Sequence, residues 1–60
     1  MIDLTRINGE KITVNAEEIE MVETSFDTTV KLRSGRKISV KETSDEITEK
    51  VIAFKKLYLN

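Results

Sequence analysis

Through most of the first forty positions, apolar and polar residues alternate with a period of two. Ile2 and Leu4 alternate with Asp3 and Thr5, the spacing of a strand with one buried face. Asn8-Gly9 follows, a strong hairpin signal because both central positions of a type I′ turn take positive φ. Ile12 and Val14 then alternate with Lys11 and Thr13, so residues 2–7 and 10–14 are predicted to form a hairpin. Asn15 is placed to cap a single helical turn at Ala16-Glu17-Glu18. Residues 19–24 are strand-like, but Met21 and Val22 cannot both face one side without a bulge. The pattern leaves open which of the two is inside. Ser25-Phe26-Asp27 forms a turn. Residues 28–33 place Val30 and Leu32 inward, with Lys31 and Arg33 outward. Ser34-Gly35 makes a second tight hairpin. Residues 36–41 place Ile38 and Val40 inward, with Lys37, Ser39 and Lys41 outward.

The period then changes. Thr43-Ser44-Asp45-Glu46 is a capping box, with Thr43 as N-cap and Glu46 at N3. Asp45 and Glu46 suit the positive end of a helix dipole, and Lys55 and Lys56 suit the negative end. Ile47, Val51, Phe54 and Tyr58 recur on one face of a helix spanning about 44–58. Ile52 and Leu59 fall roughly 120–140° round from Ile47 at 100° per residue, and Leu57 lies on the other flank.

These elements predict an α+β domain occupying residues 1–60. Five short antiparallel strands form one strongly twisted or barrel-like sheet, and a single C-terminal helix covers an apolar face or open end. The expected core is Ile2, Leu4, Ile12, Val14, Ile19, Val30, Leu32, Ile38, Val40, Ile47, Val51 and Phe54.

Size makes that core marginal. A domain of 60 residues buries only roughly 60% of the surface its unfolded chain exposes, and such a core supplies about 3–5 kcal/mol. Cysteine and histidine are both absent, which excludes disulfides, redox thiols and Cys/His zinc sites. Self-association is the remaining source of stability, so a homo-oligomer is expected. Its helix contacts are Ile52, Leu57 and Leu59. No apolar run approaches the roughly 18 residues of a membrane span, and Met1-Ile2-Asp3-Leu4 lacks a basic n-region and an apolar h-region. The expectation is a soluble cytoplasmic chain without membrane insertion.

Catalytic chemistry has little to work with. Ser25, Ser34, Ser39 and Ser44 have no local base motif. The carboxylates Glu17, Glu18, Glu20 and Glu23 are close in sequence, but paired acid–base work needs a cleft that separates and desolvates them. With Asp27 they do not follow the spacing of an EF-hand loop. Asn8-Gly9-Glu10-Lys11 has one glycine and no following helix, so it is a hairpin turn and not a phosphate loop. No enzyme activity, metal or cofactor is expected.

The surface charges carry more information. Charged residues make up 35% of the chain for a net charge of −1. Lys31, Arg33, Lys37 and Lys41 project from the outward face of the second hairpin, with Arg36 at its turn. Three readings apply: a solvated face whose lysines block edge pairing, a protein-docking face, or a phosphate-contacting face. RNA-binding sheets add exposed aromatics for stacking, and Phe54 and Tyr58 are committed to the helix stripe. The candidate interaction surfaces are therefore this basic face and the acidic segment Glu17, Glu18, Glu20 and Glu23, whose opposite signs suit docking.

In order, the residues resemble the FlbD/SwrD family of small flagellar and swarming-motility proteins. Met1-Ile2 and Leu4-Thr5-Arg6-Ile7-Asn8-Gly9 are similar to its opening. Asn15, Ile19-Glu20 and Val22-Glu23 are similar to its middle. Asp27-Thr28, Leu32, Ser34-Gly35-Arg36-Lys37, Val40-Lys41-Glu42-Thr43 and Glu46 are similar to its second hairpin and helix start. Two positions depart from it: Phe26 stands where proline precedes Asp27, and Ser39 stands where an aromatic or apolar residue is common. The resemblance implies a non-enzymatic accessory of flagellar motility, supporting motor power or swarming through protein contacts. Flagellar motor or stator proteins are the implied partners, at the flagellar base by the inner membrane. A second resemblance, through Leu4-Thr5-Arg6 and Gly9-Glu10, is to the carbon storage regulator family of RNA-binding dimers. Its Ala-Pro-rich turn and the basic segment before its helix are missing here.

Overall fold

A computed structural model describes residues 1–59, and the side chains of residues 1–57. The side chains of Tyr58 and Leu59, expected on the helix stripe and at an oligomer contact, lie outside the described residues. The chain forms β1 (Ile2–Thr5), β2 (Lys11–Val14), a single 3₁₀ turn (Ala16–Glu18), β3 (Ile19–Thr24), β4 (Thr28–Leu32), β5 (Lys37–Val40) and α1 (Ser44–Leu59).

The strands do not make the single five-stranded sheet that alternation suggested. They form two antiparallel sheets, β1-β2 and β3-β4-β5. The sheets meet at one bridge, Arg6↔Val40. There the Lys41 N–H donates to the Thr5 carbonyl at 2.8 Å, and the Ile7 N–H donates to the Ser39 carbonyl at 3.3 Å. One step further, the Thr5 N–H donates to Glu42 Oε1 at 2.8 Å. A side chain has taken the position that another strand carbonyl would occupy, and the chain turns off into α1. This is why the ladder stops after one bridge.

Both flanking hairpins close with the same three-residue loop. The Gly9 N–H donates to the Arg6 carbonyl at 2.8 Å and the Arg6 N–H to the Glu10 carbonyl at 2.7 Å. In the second hairpin the Gly35 N–H donates to the Leu32 carbonyl at 2.9 Å and the Leu32 N–H to the Arg36 carbonyl at 2.8 Å. The Asn8-Gly9 turn is therefore not type I′. Only the glycines take positive φ, 92° at Gly9 and 96° at Gly35, as in a type I turn followed by a left-handed bulge residue. Asn8 contributes its side chain instead, accepting from the Glu10 N–H at 2.9 Å.

The alternative left open at Met21 and Val22 is resolved by a bulge between Ile19 and Met21. The extra residue places Ile19 and Val22, three apart, on the same inward side, where both pack against the core. Met21 faces out. Asn15 caps the 3₁₀ turn, accepting from the Glu17 N–H at 3.1 Å. The capping box forms reciprocally: the Glu46 N–H donates to Thr43 Oγ1 at 3.1 Å, and the Thr43 N–H donates to Glu46 Oε1 at 2.9 Å.

Ile2, Leu4, Val14, Val30, Ile38, Val40 and Ile47 are buried, and Ile12, Ile19, Val22, Leu32, Val51 and Phe54 pack half-buried around them. Ala16 and Thr28 are also buried. α1 lies on β1 and β3, so one helix spans both sheets. Leu4 in β1 and Ile47 in α1, each 1% exposed, belong to the same core cluster.

Leu4→Ala costs about 2–5 kcal/mol, as much as a core of this size provides, so urea or thermal melts of the variant should show a largely unfolded chain. Glu42 tests the junction. Desolvation would raise its pKa, but hydrogen bonds from the Thr5 N–H, its own N–H and the Thr5 hydroxyl, together with the charge of Lys50, lower it. A depressed folded pKa contributes stability that is present above the ordinary glutamate value of about 4.3 and is lost as pH falls through the lower folded value. Glu42→Gln keeps an acceptor for Thr5 and should flatten this acid limb in melts at stepped pH. Glu42→Ala, which leaves the part-buried Thr5 N–H to water, should cost about 0.5–1.5 kcal/mol at neutral pH.

Candidate interaction surface

The outward face of the three-stranded sheet follows from register. Met21 pairs with Lys31 and Lys31 with Lys37, giving one row across the sheet. Glu23, Thr29 and Ser39 give the next. The inward rows are Val22-Val30-Ile38 and Thr24-Thr28-Val40.

This geometry brings Lys31 and Lys37 directly opposite each other. Like charges in that relation destabilise a sheet. Glu20, displaced by the bulge, offsets part of this: its Oε1 lies 3.7 Å from Lys31 Nζ. Both side chains are partly exposed, so the pair contributes at most about 1 kcal/mol. The acidic and basic residues are thus neighbours on one face, acidic along β3 and basic along β4 and β5. Arg33, one residue beyond β4, is exposed at the hairpin turn, and its backbone N–H donates to the Glu18 carbonyl at 2.8 Å. Glu17 and Glu18, in the 3₁₀ turn, are exposed beside it.

Arg36 and Lys41 fall elsewhere. Arg36 has the inward parity of Ile38 and lines a shallow groove with Arg6, Asn15, Glu18 and Leu32. Arg6 in that groove makes a 3.5 Å ion pair with Glu10, too long for a good hydrogen bond. Lys41 lies two residues beyond Ser39, at the junction of the sheets. There it borders an open groove of about 530 Å³ lined by Ile7, Phe26, Asp27, Thr28 and Val40. Phe26 is fully exposed, at 102% of its reference area, and Ile7 is exposed at 53%. Period alone did not mark this groove, because it is assembled from two hairpin turns and the end of β5.

The helix flanks carry Ile52 at 49% and Leu57 at 84% exposure. Leu57 borders a shallow depression with Met1, Asp3, Lys50, Ala53 and Phe54. Among the described residues no helix is long and apolar enough to cross a membrane.

No curated protein and no solved structure matches the chain. The sequence model of a family described as flagellar and swarming motility proteins does match, over residues 1–59. That match leaves the carbon storage regulator resemblance without support. With residues 1–59 of 60 covered, the chain belongs to the FlbD family of flagellar and swarming motility proteins.

Proposed function

We propose that the chain is a non-enzymatic accessory of flagellar motility that supports motor power or swarming by docking onto another protein. The docking face is the outward side of the three-stranded sheet: Lys31, Arg33 and Lys37 with Glu20 and Glu23 beside them. The motor or its stator proteins are the partner, met from the cytoplasmic side of the flagellar base.

The Lys31↔Lys37 pairing supports this reading. A face serving stability alone gains by placing opposite charges or threonines across such a pair, each worth about 0.2–1 kcal/mol. Here two ammonium groups face one another with one glutamate at 3.7 Å. The repulsion is tolerable if an acidic surface on a partner completes the arrangement. Complementary charge also speeds encounter and fixes orientation.

Lys37→Glu separates stability from function. It removes the repulsion and pairs Lys31 with a carboxylate, so thermal melts should show stability unchanged or raised by about 0.2–1 kcal/mol. In cells, Arg33→Glu with Lys37→Glu should leave filament number unchanged and weaken rotation, measured as torque on tethered cells. Full torque with the double variant expressed at normal level would remove this face. Loss of filaments would move the role upstream, to assembly or expression.

A further inference from the structure

The groove at the junction of the sheets carries its own complement. Its floor is Val40 and Thr28, Ile7 stands on one side, and Phe26 stands on the rim at the β3–β4 turn. Phe26 is as exposed as in an isolated peptide, so no part of the described chain covers it. Phenylalanine contributes large apolar area when buried, and at the tip of a hairpin it is positioned to enter another surface. Charge is divided in the same way. Asp27 follows Phe26 on the rim, and Lys41 borders the groove. Among the described residues the ion pairs are Arg6–Glu10 and Lys31–Glu20, and none joins Asp27 to Lys41.

We propose that this groove is a two-fold interface between copies of this chain. Phe26 of each copy enters the groove of the other, against Ile7 and Val40, and Asp27 of each meets Lys41 of the other. Knob and hole lie on the same patch, as an isologous contact requires. Exchanged between copies, the apolar knob meets the apolar groove and each of the two charges meets its opposite. The volume, about 530 Å³, is open enough to admit an aromatic ring with its flanking residues. The contact uses a different part of the surface from Lys31 and Lys37, so it stands or falls separately from the docking reading. It assigns self-association to the junction, with Ile52 and Leu57 on the helix as the competing position.

The test is sedimentation equilibrium of the full chain from low to high micromolar concentration. The expected result is a monomer–dimer equilibrium that Phe26→Ala weakens at least tenfold while leaving the melt unchanged. Asp27→Lys alone and Lys41→Asp alone should each weaken it as well. Mixing these two single variants should restore association, because each attractive pair then forms between copies while the pairs within each copy remain repulsive. A monomer at every concentration overturns the proposal. So does a dimer that Phe26→Ala leaves intact while Leu57→Ala or Ile52→Ala breaks it, or a mixture that associates no better than either variant alone.

Discussion

Thr5 directs one N–H and one carbonyl away from β2, and the domain is organised around how those two groups are satisfied. The carbonyl accepts from Lys41 and the N–H donates to the Glu42 carboxylate. A two-stranded hairpin alone is at best marginal in water, so β1-β2 depends on being joined to something. One bridge to β5 and one charged acceptor make the join. Because Thr43 follows Glu42 directly, the same turn that ties β1 down also starts α1. The helix then packs on β1 and β3 and adds Ile47 to the core, so the polar tie and the apolar packing reinforce one another across elements distant in sequence.

Features set by neighbouring residues were legible in the sequence. Period-two alternation placed all five strands to within two residues, and the change of period at Thr43 placed the helix. The reciprocal bonds of Thr43 with Glu46, and the Asn15 cap, follow from side chains reaching backbone groups two or three residues away. The bulge in β3 was foreseeable because Ile19 and Val22 are an odd number of residues apart and both apolar. Asn8-Gly9 misled in its detail, since the dipeptide fits more than one loop and the three-residue form leaves positive φ to the glycine alone. Ala16 and Thr28 were missed as core residues; Thr28 shares the parity of Val30, which was the available signal.

The split into two sheets was not legible, because it turns on a single side chain. Glu42 and Thr5 are 37 residues apart, and nothing local distinguishes this glutamate from the exposed ones. The candidate surfaces divide similarly. The parity of Lys31 and Lys37 placed them on one face, but only register shows them directly opposed. Lys41 and Arg36 left that face because the chain turns at each end of β5. The junction groove, built from residues 7, 26 and 40, has no signature in any short window.

The position of Glu42 also bears on how the chain is made. β1 and β2 emerge from the ribosome before the rest of the domain, yet the groups that complete β1 belong to residues 41 and 42, and the helix that packs on it starts beyond them. Until those are available the first hairpin has only local contacts to hold it, and pairing between distant segments is slow relative to pairing between neighbours. The three strands from Ile19 to Val40 can order among themselves beforehand. Folding of the whole unit therefore waits until residues 41, 42 and 47 have left the ribosome, and until then the β1-β2 hairpin presents an open strand edge that other chains or chaperones can reach.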